Sequence, residues 1–214
     1  FGNSVAIGKV NDDTFDDLII ADGGYPKGQN TGRVYVFTGG SQIDTSADVI
    51  LTGDTTFVYF GWTVAAGDLN NDGFDDIIVR GYDNNYPIES QKFSYIKVFL
   101  GGNTLDTLAW ESLKGDNSTD LGLSSFDANG DGISDLLWTD WNPADSLNVI
   151  KIHFGKTDID SVPNLVLNDP GVGMGQVIAN AGDMNGDGFD DIAVGAPYKT
   201  FDFGFVLVFS GGPT

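Results

Sequence analysis

The sequence predicts an all-β fold assembled from repeated four-stranded sheets, and three observations carry that expectation. A nine-residue acidic loop recurs along the chain. An apolar stretch of strand length follows each copy. Helix signals are nearly absent, and many of the 30 glycines fall where strands should turn. The repeat begins at Phe1-Gly2, Phe60-Gly61, Leu121-Gly122 and Met174-Gly175, a period of roughly 55–60 residues, somewhat above the lengths of common blade repeats. Four antiparallel strands per repeat, in series, make the blades of a β-propeller.

Each repeat runs in one order. The first strand is rich in small residues, as in Ser4-Val5-Ala6, Thr63-Val64-Ala65-Ala66 and Gln176-Val177-Ile178-Ala179. The acidic loop comes next, and then a short apolar strand such as Asp76-Ile77-Ile78-Val79 or Asp191-Ile192-Ala193-Val194. A polar and aromatic loop leads to a third strand with alternating branched residues, at 34–37, 96–100, 149–154 and 206–209. A glycine follows each third strand or lies one residue beyond it. A weaker fourth strand, at 49–51 and 165–167, runs into the next repeat. The expected organisation is one propeller region over 1–214, divided near 1–59, 60–120, 121–173 and 174–214.

The loop Asp68-Leu69-Asn70-Asn71-Asp72-Gly73-Phe74-Asp75-Asp76 returns almost letter for letter at Asp183–Asp191. A third copy runs from Asp127 to Asp135, and a worn copy from Lys9 to Asp17. Calcium takes six to eight oxygens, at about 2.3–2.6 Å, in a flexible arrangement. Positions 1, 3 and 5 offer Asp, Asn and Asp, and a glycine at position 6 permits the sharp turn. Position 7 contributes a carbonyl, so its side chain is free to anchor the loop in the core. Position 9 is Asp in every copy and closes the cage. The expected ligands are Asp68, Asn70, Asp72, Phe74 and Asp76; Asp127, Asn129, Asp131, Ile133 and Asp135; and Asp183, Asn185, Asp187, Phe189 and Asp191. An EF-hand needs a bidentate Glu at position 12, where these loops have Val79, Trp138 and Val194. Magnesium suits an all-protein cage less well, because it keeps its waters.

In the worn copy Lys9 occupies the first ligand position, and a cation does not ligate a cation. Two readings stand. The ammonium replaces the ion among Asn11, Asp13 and Asp17, or the loop has lost its metal and Lys9 faces solvent. Either gives about three calcium ions for four repeats.

The string Phe-Gly, then Ala-Gly-Asp-x-Asn-x-Asp-Gly-x-x-Asp, then Val-Gly-Ala-Pro and Val-x-Val-Phe-x-Gly resembles the FG-GAP repeat of integrin α heads and of many secreted bacterial proteins. Gly195-Ala196-Pro197 carries the element behind the name. The other repeats depart from it, with Ala21-Asp22-Gly23, Arg80-Gly81 and Thr139-Asp140 in its place. The resemblance implies a propeller of FG-GAP blades, usually closed as a ring of seven. With four repeats visible and no starting Met, the expectation is a portion of a longer polypeptide, a half-ring with a partner, or a small ring. An open ring leaves strand edges that invite self-association.

The net charge is −21, and 15 of the 31 acidic residues lie in the four loops. The acidity is therefore mainly local ligand chemistry, and three calcium ions would bring the charge to −15. Phosphate binding depends on Lys and Arg, so nucleic acid is not an expected partner. No apolar run of about 18 residues exists, so no membrane insertion is expected. Cysteine is absent, so calcium takes the stapling role. Cytosolic calcium is too low for such sites, which places the protein in the extracellular space or at the cell surface.

The resemblance assigns ligand binding to the face opposite the calcium loops. The loops expected there are aromatic: Tyr25, Tyr82, Tyr86, Trp141 and Tyr198 are the candidates, and Tyr59 lies between repeats. Tyr and Trp suit contact surfaces and stack on sugar rings. Enzyme chemistry is not expected. The one histidine, His153, sits inside an alternating strand, and the paired carboxylates are explained by calcium. The expected function is a calcium-stabilised extracellular binding or adhesion module for a protein or glycan. The alternatives are a subunit of a surface assembly and an accessory module of a secreted carbohydrate-active enzyme.

Overall fold

The structure, a computed structural model, describes residues 1–42, 45–54, 58–83, 93–116, 122–144, 146–168, 174–199 and 203–213, with the side chains of 197–199 and 203 left aside. The expected all-β fold is borne out. Fifteen strands form four antiparallel sheets, each a propeller blade, and there is no helix among the described residues.

The first blade contains β1 (Ser4–Gly8), β2 (Asp17–Asp22), β3 (Arg33–Phe37) and β4 (Val49–Thr52), paired in that order. The second contains β5 (Thr63–Gly67), β6 (Asp76–Asp83), β7 (Phe93–Phe99) and β8 (Glu111–Lys114). The third contains β9 (Leu123–Phe126), β10 (Asp135–Asn142), β11 (Leu147–His153) and β12 (Leu165–Leu167). The fourth has three strands among the described residues: β13 (Val177–Gly182), β14 (Asp191–Lys199) and β15 (Phe203–Phe209). Simple up-and-down order follows from the short acidic turn joining the first two strands of each blade. The register repeats with it: Gly8 faces Asp17, Gly67 faces Asp76 and Gly182 faces Asp191. Every second strand therefore starts on the ninth residue of a loop.

The chain divides into two compact units. The first is Phe1–Asp68 with Asp72–Asn117, and the second is Leu69–Asn71 with Ser118–Thr214. In the first, Ile19, Ala21, Val34 and Val36 of blade 1 pack with Val58, Phe60 and Val64 at the entry to blade 2. In the second, Leu137, Ile150 and Ile152 of blade 3 pack with Met174 and Ile178 of blade 4. Branched side chains suit this packing because they stand stiffly on a pleated surface. Each fully buried Val, Ile or Phe contributes about 1.5–3 kcal/mol. The interior faces of adjacent blades are thus what the alternating third strands exist to fill.

Candidate metal loops and aromatic face

Three loops share one geometry. The first residue of each folds its carboxylate back over the turn. Asp68 accepts hydrogen bonds from the Asp72 and Gly73 amides, at 3.1 and 2.9 Å. Asp127 accepts from Gly130, Asp131 and Gly132, at 2.6, 3.1 and 2.8 Å. Asp183 accepts from Gly186, Asp187 and Gly188, at 2.7, 3.1 and 2.9 Å. Position 3 accepts from the amide of position 5, as in Asp131 to Asn129 at 2.9 Å and Asp187 to Asn185 at 2.8 Å. Position 5 accepts from position 7: Phe74 to Asp72, Ile133 to Asp131 and Phe189 to Asp187, at 2.9, 2.9 and 3.0 Å.

These contacts require left-handed backbone at positions 4 and 6. Asn71, Gly130 and Gly186 take φ of 61°, 79° and 79°, and Gly73, Gly132 and Gly188 take 92°, 87° and 94°. Glycine and asparagine adopt this region at low cost, which accounts for the residues found there.

Position 9 points inward. Asp17, Asp76, Asp135 and Asp191 are buried. Asp135 accepts from the Ala128 amide at 3.0 Å and the Gly155 amide at 2.9 Å. Asp191 accepts in the same way from Met184 and Gly211, both at 3.0 Å, and Asp17 from Val10 and Gly39, at 2.9 and 2.8 Å. Asp76 accepts from Gly101 at 3.1 Å. Each carboxylate thus ties its loop to the glycine just past the third strand. That glycine is obligatory. A Cβ on Gly39, Gly101, Gly155 or Gly211 would lie 2.3, 2.4, 2.2 or 2.3 Å from the carbonyl oxygen of position 8. These four glycines belong to the loop site although they are remote from it in sequence, and their place after every third strand is the signal that marks them.

The worn loop differs. Its Asn11 and Asp13 keep their turns, accepting from Asp13 and Phe15 at 2.9 and 2.7 Å. Neither Asp12 nor Thr14 is left-handed. The Lys9 ammonium pairs with Asp16 at 2.7 Å, and the proximity of that carboxylate raises its pKa. Its ion-pair partner is therefore the carboxylate at position 8, rather than Asp13 or Asp17. Asp17 is engaged by backbone amides and by the Asn11 amide at 3.3 Å.

The donor set fits a hard cation: every candidate atom is a carboxylate, amide or carbonyl oxygen. A carboxylate has about four lone-pair sites, so the turn contacts leave acceptor capacity. Burial, with a smaller push from the Asp131 and Asp127 charges, raises Asp135 to about 6 against the pull of the Gly155 and Ala128 amides. A cation there relieves both effects. By contrast, the Gly188 amide leads the contacts that hold Asp183 below the usual carboxylate range. Among the described residues no three acidic or histidine side chains already converge as a cage. The loop oxygens are aligned on their own amides.

On the aromatic side, Tyr82 stacks on Tyr59 at 4.4 Å and 10°, with Trp62 edge-on to both at 5.4 and 5.8 Å. Asn30 donates to the Tyr59 hydroxyl at 2.9 Å. Burial, reinforced by Tyr59, pushes the Tyr82 hydroxyl up to about 12. Tyr25 lies under the Arg33 guanidinium at 4.0 Å. Trp141 is half-buried, opposite Asn148 in the β10–β11 ladder. Tyr86 and the Tyr198 side chain lie outside the described residues. The structure therefore brings Tyr82 together with two aromatics, Tyr59 and Trp62, and Trp62 is the one that sequence reasoning missed. Its only sequence signal is its place directly after Phe60-Gly61.

A family profile described as FG-GAP repeat matches residues 1–37, 60–87 and 174–209. Integrin alpha-5 of Xenopus laevis is 27% identical over 224 residues, covering 100% of this chain and 15% of that protein. Integrin alpha-4 of Xenopus laevis is 30% identical over 213 residues, covering 91% of this chain and 19% of its own length. A phosphatidylinositol-glycan-specific phospholipase D of Dictyostelium discoideum is 29% identical over 187 residues, covering 79% and 18% respectively. The chain thus spans under a fifth of each of these relatives.

Proposed function

Because the chain is an FG-GAP repeat protein of the integrin α-like propeller kind, we propose that it works as a calcium-stabilised extracellular module that binds a protein or glycan. The integrin α relatives support the coarser part of this reading, an extracellular adhesion or binding module. The observation that carries the calcium reading is the common geometry of the three loops, with oxygen donors at alternate positions and left-handed turns at positions 4 and 6. Asp68, Asn70, Asp72, the Phe74 carbonyl and Asp76 would hold one ion. The matching residues beginning at Asp127 and Asp183 would hold two more. The ions would supply countercharge to clustered carboxylates and fix each turn to its blade. The worn loop, with Lys9 paired to Asp16, takes none.

Ligand recognition falls to the half-buried aromatics Tyr25, Tyr82 and Trp141, with Tyr86 and Tyr198 as further candidates. No helix among the described residues is long and apolar enough to cross a membrane. Isothermal titration with calcium tests the first half of the proposal: about three ions should bind, and none should bind if the loops are only acidic turns. Glycan and protein arrays probed with the calcium-loaded chain test the second half. Binding should fall in Trp141→Ala and Tyr86→Ala. The phospholipase D relative favours one second reading, a module attached to a catalytic region.

A further inference from the structure

We propose that Asn129 and Asn185 are sites of spontaneous deamidation, and that the fold holds both in check through the carboxylates of Asp127 and Asp183. Asn-Gly occurs twice in the sequence, at Asn129-Gly130 and Asn185-Gly186, and each pair fills positions 3 and 4 of an acidic loop. Asp-Gly follows directly in both, as Asp131-Gly132 and Asp187-Gly188. Glycine obstructs a reaction at the preceding side chain least, since it has no Cβ and leaves the backbone free. In the loop that begins at Asp68 the step is Asn70-Asn71, where a side chain stands in the way.

The reaction is intramolecular. The Gly130 nitrogen loses its proton and attacks Cγ of Asn129. A new C–N bond forms, the Cγ–Nδ2 bond breaks, and ammonia leaves with the proton. Water then opens the five-membered succinimide at one of its two carbonyls, giving aspartate or isoaspartate. The isoaspartate product runs the main chain through Cβ and Cγ and lengthens the turn by a carbon. An Asp-Gly step closes the same ring with loss of water.

The loop geometry opposes the first step. Asp127 accepts from the Gly130 amide through Oδ1 at 2.6 Å and from the Gly132 amide through Oδ2 at 2.8 Å. Asp183 holds Gly186 and Gly188 in the same way, at 2.7 and 2.9 Å. One carboxylate thus occupies both nucleophiles of its loop. A hydrogen bond from the neutral amide, and a negative charge beside it, both disfavour the deprotonated nitrogen. The electrophile is fixed as well. Oδ1 of Asn129 accepts from the Asp131 amide at 2.9 Å, and Oδ1 of Asn185 from the Asp187 amide at 2.8 Å. Asn129 is buried, and the Phe189 ring lies over Gly130, where a Cβ would meet it at 2.5 Å. Reaction therefore waits on local opening of the turn. This inference does not rest on calcium binding, because the loop makes these hydrogen bonds by itself.

Incubation in excess EDTA, followed by peptide mapping that separates aspartate from isoaspartate, tests it. The folded chain should deamidate at Asn129 and Asn185 at least about tenfold more slowly than the same chain in urea. D127A should speed the reaction at Asn129 by about tenfold or more and leave Asn185 at its native rate. D183A should do the reverse. Each variant controls for the other, because general unfolding would release both sites. Circular dichroism checks folding, and D127N and D183N, which remove the charge and keep an oxygen acceptor, carry the same ordering if an alanine variant unfolds. A folded chain that deamidates as fast as the unfolded one overturns the proposal. So does a folded variant whose own asparagine keeps the native rate, or one that accelerates both sites alike.

Discussion

Asp191 accepts a hydrogen bond at 3.0 Å from the amide of Gly211, so one buried carboxylate joins the start of β14 to the chain beyond β15. Its other oxygen accepts from Met184 at 3.0 Å. Removing it leaves two amides without their acceptor, at about 1–3 kcal/mol for each group that is buried. Asp191→Ala should therefore lower unfolding stability by about 2–4 kcal/mol, measured by urea denaturation. Gly211→Ala should also destabilise, since its Cβ would meet the Asp190 carbonyl at 2.3 Å. An unchanged midpoint in both variants would show that this tie is dispensable.

Calcium removal should lower the melting temperature. A site at ten times its dissociation constant adds about 1.4 kcal/mol, so three sites add about 4 kcal/mol. Scanning calorimetry in calcium and in excess EDTA measures the difference. Asp131→Asn and Asp187→Asn should each shrink it. Asp13→Asn should not, because its loop pairs Lys9 with Asp16.

Acid should weaken the fold through His153. Its Nδ1 lies 2.9 Å from the Asp160 carbonyl, which it reaches as a donor, and its Nε2 is buried without a partner. Burial pushes its pKa below 6.5. The folded state therefore favours the neutral ring, and the unfolded chain takes up the proton first. The stability contribution is present above about pH 6.5 and is lost as pH falls below it. The matching residue is Phe37, Phe99 or Phe209 in the other blades. His153→Phe should flatten the slope below about pH 6.5, read from denaturation midpoints. A variant with the native slope would assign the acid sensitivity elsewhere.

Backbone handedness should show separately from packing. Gly188 has φ of 94° with nothing near its Cβ position, so Gly188→Ala tests conformation alone. A loss of about 1–2 kcal/mol is expected. Gly212→Ala, in open space and without positive φ, should be silent. Equal effects of the two substitutions would argue against left-handed strain.

The loops and strands were legible in the sequence because their signals are local. Alternate oxygens, a glycine at position 6 and branched residues two apart all act within a few residues. The inward turn of Asp135 was not legible, because its partner Gly155 is supplied by a strand that folds back twenty residues later. The pairing of Lys9 with Asp16 turned on which of several nearby carboxylates was already engaged. The grouping of Tyr82 with Trp62 likewise depends on where two separate strand ends meet, which residue spacing does not encode.

The acidic turns are held mainly by hydrogen bonds of their own, and the first two are also tied to each other where the Lys9 amide donates to Asp75 and the Asp75 amide to the Lys9 carbonyl. Titration with a chelator should then strip the blades one after another, in a graded descent instead of a single collapse. The first turn illustrates the outcome, with Asp17 still fastening Val10 and Gly39 beneath a lysine. If the three loops hold calcium as proposed, stability would fall by degrees as the ion is withdrawn.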